Sequence, residues 1–146
     1  MIFVLDSIIA MPVKTVCKFV EAILLDLSIR QTRFALIMIA AYKPPSVDNV
    51  PFSSEMYSLL DKVISQSDNI ICFGDLNCDI SNPLDNCNKG RCLLDICEIY
   101  GLDSLNNSPT RISSQRSSCL DVILTNQFQD ISENQELWRL ASVITA

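Results

Sequence analysis

The chain has 146 residues, of which 49% are hydrophobic, and it carries a formal net charge of −6. Such a length and apolar content suit one domain with a real core and exclude intrinsic disorder as its main state. The acidity argues against a free-standing surface that tracks phosphates, although a phosphate-ester site remains open where a metal supplies the positive charge.

There is no histidine. This removes the Ser/His and Cys/His nucleophile systems, His-ligated zinc and the commonest general acid/base in one step. The seven cysteines are odd in number, and Met1–Ala10 lacks a basic start and carries Asp6, so no secretory signal is read. Free thiols in a reducing, intracellular compartment (cytoplasm or nucleus) are expected. The spacing Cys87-x4-Cys92-x4-Cys97 invites a zinc reading, but no CxxC pair exists and Cys92 and Cys97 do not share a helix face. No apolar run approaches the roughly 20 residues of a membrane span.

In chain order, the stretches Ile2–Val13 and Val16–Leu27 read as strands, followed by a polar connection from Ser28 to Arg33. Phe34–Ala41 is a continuous apolar run, as in a strand covered on both faces. It ends at Tyr42-Lys43-Pro44-Pro45, where two prolines stop sheet pairing. Ser53 or Ser54 is placed to cap a helix through about Gln66, with Met56, Leu59, Leu60, Val63 and Ile64 on one stripe. The strand Ile70–Phe73 follows, then a loop from Ser81 to Asn88. Lys89–Tyr100 reads as a second helix, with Leu93, Leu94, Ile96 and Cys97 inward and Gly101 as its left-handed stop. Asn106–Arg111 is a turn, and Cys119–Thr125 is a strand with Leu120, Val122 and Leu124 alternating. The order strand, helix, strand, helix, strand implies an α/β fold. Residues 127–146 show no pattern and are expected to form a divergent, poorly ordered tail.

The chemistry concentrates at Gly74-Asp75-Leu76-Asn77, where a buried strand meets solvent. Ligands gather at the carboxyl ends of strands in α/β folds. A carboxylate and a carboxamide two residues apart suit an oxygen-ligated divalent cation, or a water and phosphate to be oriented. The same Asp also suits a turn or a helix cap.

Four stretches in order resemble one family. They are Ala41-Tyr42-Lys43-Pro44-Pro45, Gly74-Asp75-Leu76-Asn77, Tyr100-Gly101-Leu102 through Pro109-Thr110-Arg111, and Leu120-Asp121-Val122-Ile123-Leu124-Thr125-Asn126. The family is the endonuclease/exonuclease/phosphatase superfamily, and the subgroup is the endonuclease domain of non-LTR retrotransposon polyproteins. Val20–Leu25 also resembles the subgroup's strand before the Tyr-Arg-Pro-Pro segment, and the resemblance covers roughly residues 2–126, read as a partial domain.

The resemblance implies a two-sheet sandwich flanked by helices and Mg²⁺-dependent cleavage of a DNA phosphodiester, with no small-molecule cofactor. It implies that Asp75 orients or deprotonates the attacking water, and that Asn77 binds the phosphate or completes the metal's contacts. Tyr42 would hydrogen-bond the phosphate, and Asp121 would hold a catalytic histidine in its working tautomer. Other roles stand beside these: Tyr42 packing before Pro-Pro, Asp121 bonding a loop backbone, Thr110 and Ser118 as turn and cap residues, Asp79 as a solvated carboxylate.

The family's earlier Glu-bearing segment and its closing Ser-Asp-His segment have no counterpart in the sequence, so the site is read as incomplete. Loss of a general acid/base costs about 10²–10⁴ in rate. The leading reading is therefore an endonuclease fragment, inactive in isolation, binding Mg²⁺ weakly at best through Asp75 and Asn77. A phosphatase of the same superfamily and a non-catalytic interaction module are the competing readings.

Overall fold

The computed structural model describes residues 8–29, 35–81, 88–106, 109–112 and 117–127. The first part of the Ile2–Val13 stretch, most of the 28–33 connection and of the 81–88 loop, Asn107 and Ser108, and the tail from residue 128 lie outside the described residues.

Among the described residues, eight strands and two helices follow one another as β1 (Ile8–Val13), β2 (Glu21–Ile29), β3 (Ala35–Tyr42), α1 (Asn49–Ile64), β4 (Ile70–Asp75), α2 (Lys89–Tyr100), β5 (Asp103–Ser104), β6 (Arg111–Ile112), β7 (Ser117–Ser118) and β8 (Asp121–Thr125). The main sheet has six strands in the order β1-β2-β3-β4-β8-β5, and β6 and β7 form a separate two-stranded sheet. Among the described strands only β3 and β4 run parallel, and α1 is the crossover their parallel pairing requires. This is the mixed α/β architecture that the alternation of elements implied.

One face of the sheet carries Leu24, Ile37, Ile39, Ile70, Cys72, Val122 and Leu124, packed with Phe52, Met56, Leu60 and Val63 of α1 and Leu93 and Ile96 of α2. The opposite face carries a second apolar cluster of Leu27, Leu36, Met38, Ile71 and Ile123. Leu36 through Ile39 are all buried, so the continuous apolar run of β3 has the physical cause the sequence implied, cover on both faces.

Several boundaries differ from the sequence reading. Val16–Val20 is not strand, and β2 begins at Glu21. Helix α1 starts at Asn49, not at Ser53 or Ser54, with Asp48 at the cap position. Pro51 falls in its first turn, where the missing N–H costs nothing. The Ser53 hydroxyl instead donates back to the Asn49 carbonyl at 2.9 Å. Phe52, four residues before Met56, completes the inward stripe, while Ile64 is 40% exposed. In α2, Leu93, Ile96 and Cys97 are buried and Leu94 is only half-buried. Gly101 ends that helix in the left-handed region at φ 61°. Strand β8 begins at Asp121, with Val122 to Thr125 all buried.

The end of the last motif is structural. Thr125 Oγ1 donates to the Ile70 carbonyl at 2.8 Å, Asn126 Oδ1 accepts from the Ile70 N–H at 2.9 Å, and Asn126 Nδ2 donates to the Asp68 carbonyl at 2.7 Å. Together they fasten the start of β4 to the end of β8. No helix among the described residues is long and apolar enough to cross a membrane.

Candidate active site

Strand register builds the site. Asp75 lies directly opposite Asp121 in the β4–β8 pair, and facing residues of a pair share a side of the sheet. On the other flank, β3 and β4 pair in parallel with Ala40 opposite Phe73, so two residues on Tyr42 stands level with Asp75. The Lys43 N–H donates to the Asp75 carbonyl at 3.0 Å and carries the ladder to that point. Tyr42 in turn faces Glu21 across β2–β3. Glu21, Tyr42, Asp75 and Asp121 therefore form one row across four neighbouring strands at one end of the sheet, on the face opposite the helices. Adjacent members are about 5 Å apart along the row.

Tyr42 is 40% exposed, Asp121 is exposed and Asp75 is half-buried. Asn77 is beyond the strand end, left-handed at φ 48°. Its N–H donates to Asp75 Oδ1 at 3.0 Å, and its Nδ2 donates to the Lys43 carbonyl at 2.9 Å. The turn-forming role of Asp75 is thus real, and it leaves the second carboxylate oxygen unused by that turn. Asn77 is anchored through its nitrogen, which keeps Oδ1 as its available oxygen.

Gly74 makes this corner possible. Its φ is +142°, and a Cβ there would fall 1.8 Å from the Ala41 carbonyl oxygen. Any side chain would force β3 and β4 apart immediately before Tyr42 and Asp75.

The neighbouring loops are fastened by the remaining motif residues. Thr110 Oγ1 accepts from the N–H groups of Leu120 and Asp121 at 3.1 and 3.2 Å. Asn106 Nδ2 donates to the Asp121 carbonyl at 2.6 Å, and its Oδ1 accepts from the Ile123 N–H at 2.8 Å. Asp79 is not a merely solvated carboxylate: its Oδ1 accepts from the N–H groups of Ser81 and Cys119, both at 3.1 Å. Ser118 lies in β7 and its carbonyl accepts from the Thr110 N–H at 2.9 Å.

Two residues of this end escaped the sequence reading. Glu21 was visible only as a charge interrupting an apolar stretch, and its membership of the row depends on a pairing with β3. Lys43 is fully buried on the helix side, with its Nζ 5.3 Å from the centre of the Phe52 ring and without a hydrogen-bond partner among the described residues. Burial pulls its amine below the ordinary lysine range, partly offset by Cys78. Burial likewise pushes the Cys78 thiol up to about 11.

Among the described residues, no three or more His, Cys, Asp or Glu gather as a metal cluster. Cys17, Cys72, Cys78, Cys92, Cys97 and Cys119 are free thiols; Cys87 lies outside the described residues.

A family model described as "Endonuclease-reverse transcriptase" matches residues 36–142, well over half of the chain. The chain belongs to this endonuclease–reverse transcriptase family, within the endonuclease/exonuclease/phosphatase superfamily. Its fold is similar to the endonuclease domain of TRAS1, a telomere-specific non-LTR retrotransposon, at a TM-score of 0.58 and 18% identity over 77% of this chain and 52% of that one. It is also similar to an endonuclease/exonuclease/phosphatase family protein from Leptotrichia buccalis C-1013-b, at a TM-score of 0.52 and 17% identity over 71% of this chain and 41% of that one. The chain thus spans about half the length of the structures it matches. No curated protein sequence matches it. The structural likenesses carry the fold, and the family model carries the family, over part of the length of these structures.

Proposed function

We propose that residues 1–126 are part of a Mg²⁺-dependent DNA endonuclease domain of retrotransposon origin, and that this 146-residue chain alone has no appreciable nuclease activity. The row of Tyr42, Asp75 and Asp121 at one sheet end, in a sequence without histidine, carries this reading. In it, Asp75 orients or deprotonates the attacking water, Asn77 and the Tyr42 hydroxyl hold the phosphate, and Asp121 has no imidazole to align.

The donor set fits a divalent cation in part. Two carboxylates directly opposite one another repel, and a cation between them relieves that repulsion. Asp75 and Asp121 with Asn77 Oδ1 would supply about half of the octahedral oxygens that magnesium demands, leaving waters to fill the rest. When bound, the metal would stabilise charge on a phosphoryl oxygen. The protein's own part is to fix the two carboxylates by strand pairing and Asn77 by its bond to Lys43.

The test is plasmid nicking by the purified chain with and without Mg²⁺, beside Asp75→Ala. Background-level nicking in every arm is the expected result. Mg²⁺-dependent nicking that Asp75→Ala abolishes would overturn the claim of inactivity while supporting the roles of the site residues.

A further inference from the structure

Between β1 and β2 the chain crosses a ridge, Lys14–Val20, that no part of the endonuclease reading uses. Both of its ends are pinned to α1. Lys62 Nζ donates to the Lys14 carbonyl. The Glu55 carboxylate accepts from three consecutive backbone N–H groups, those of Lys18, Phe19 and Val20, at 2.5, 2.8 and 2.6 Å. Successive amides converging on one anion form a nest, here filled by the protein's own side chain, so the ridge is held in place without any ligand.

The pinned ridge walls a cleft of about 710 Å³ whose other side includes Ile23, Tyr42, Phe73 and Gly74. That volume lies within the range of small-ligand sites, about 300–1,000 Å³. The cleft is continuous with the row, because Glu21 and Tyr42 belong to both. Its apolar walls include Phe19 at 37% exposure and Ile23 at 58%. Lys18 Nζ lies 5.3 Å from the centre of the Phe19 ring. An aromatic ring and a cation near it, in a cleft that Tyr42 also lines, match the two halves of a nucleotide: the ring stacks a base and the ammonium meets a phosphate. Glu21, also in the cleft wall, repels a phosphate and directs it toward Lys18.

We propose that this cleft holds one unstacked nucleotide of a single DNA strand, its base against Phe19 and its phosphate at Lys18, with Glu55 as the positioning residue that fixes the ridge. The inference rests on the endonuclease reading for its ligand class, but its test does not depend on cleavage.

A fluorescence-anisotropy titration of the intact chain with a labelled short oligothymidylate at low salt supplies the test. Stacking of one base on an aromatic is worth about 1–3 kcal/mol, so Phe19→Ala should weaken binding at least about fivefold, and Lys18→Ala should weaken it and flatten its salt dependence. Glu55→Gln should speed amide hydrogen exchange at Phe19 and Val20 and weaken binding in parallel. Binding that neither Phe19→Ala nor Lys18→Ala weakens would overturn the cleft and leave the roles of Tyr42 and Asp75 standing. No binding at all would likewise overturn it, whereas the outcome of the nicking assay, which tests the inactivity and the Asp75 role, does not depend on this cleft. Faster exchange in Glu55→Gln with unchanged affinity would remove the pinned ridge as the binding wall.

Discussion

Gly74→Ala should be among the most damaging single-methyl changes available to this chain. Two penalties act together. The backbone is at φ +142°, a conformation that L side chains rarely adopt, and holding a side-chain-bearing residue in such a region costs about 1–3 kcal/mol. The new Cβ would also fall 1.8 Å from the Ala41 carbonyl oxygen and 2.9 Å from its carbon. Both of those atoms are backbone, in the middle of the β2–β3–β4 sheet, and cannot rotate away. Relief requires β3 and β4 to separate by over an ångström, which breaks the ladder near Lys43 and Asp75; overpacking of this kind adds about 1–3 kcal/mol. The sum, about 2–6 kcal/mol, is a large share of the 5–15 kcal/mol by which domains are stable. Gly101→Ala is the internal control. Its φ is +61° but a Cβ there meets nothing within 4 Å, so only the left-handed penalty of about 1–2 kcal/mol applies. Urea unfolding followed by far-ultraviolet circular dichroism measures both. A Gly74→Ala protein within 1 kcal/mol of the parent, or no worse than Gly101→Ala, would refute the argument from the Ala41 carbonyl.

Two further outcomes follow from the buried titratable groups. Lys43→Met keeps the side-chain length and removes an amine that is buried without a hydrogen-bond partner among the described residues, so it should raise unfolding free energy by about 1–3 kcal/mol; equal or lower stability in urea would show that the contact with Phe52 outweighs desolvation. Stability in Lys43→Met should also fall as pH rises from about 9 to 11, since the thiols of Cys72, Cys78 and Cys97 are pushed up to about 12, 11 and 11, so in that window the unfolded chain ionises while the folded one keeps its protons. In the parent the fall should be shallower, because Lys43, lowered in the folded state by burial, binds less proton there than it does in the unfolded chain and so adds stability with rising pH. Urea midpoints at pH 8 and 10 for both proteins read this, and parallel slopes would remove Lys43 from the account.

What the sequence made legible is what is local. The α2 helix, its Gly101 stop and the doubly covered β3 follow from spacing and composition within a dozen residues. Helix α1 starts earlier than a cap at Ser53 or Ser54 implies, because Asp48 takes the cap position and Pro51 is accommodated in the first turn. The strands β5, β6 and β7 have two residues each, too few for any periodicity. Tyr42, Asp75 and Asp121 could be nominated by motif, but their common row is a matter of register between strands up to 79 positions apart, which no single segment encodes. Glu21 joins that row by the same non-local route. The burial of Lys43 is not legible in the sequence, because lysine is almost never fully buried and only the arrival of α1 against the end of β3 covers it.

The end of β3 separates two kinds of constraint by the alternation of a strand. Tyr42 points to the face of the row, and Lys43, one residue on, points among Phe52, Cys78 and α2. Substitutions on the row side (Tyr42, Asp121) touch little of the core, so they should change ligand and metal contacts while leaving the urea midpoint nearly fixed. Substitutions on the helix side (Lys43, Cys72) should do the reverse. Asp75 and Asn77 belong to both, because the same turn that presents them carries the bonds to Lys43, and Gly74 is what lets that turn pass the Ala41 carbonyl. The Gly-Asp-x-Asn corner therefore has a structural reason to be what it is, independent of any chemistry at the row.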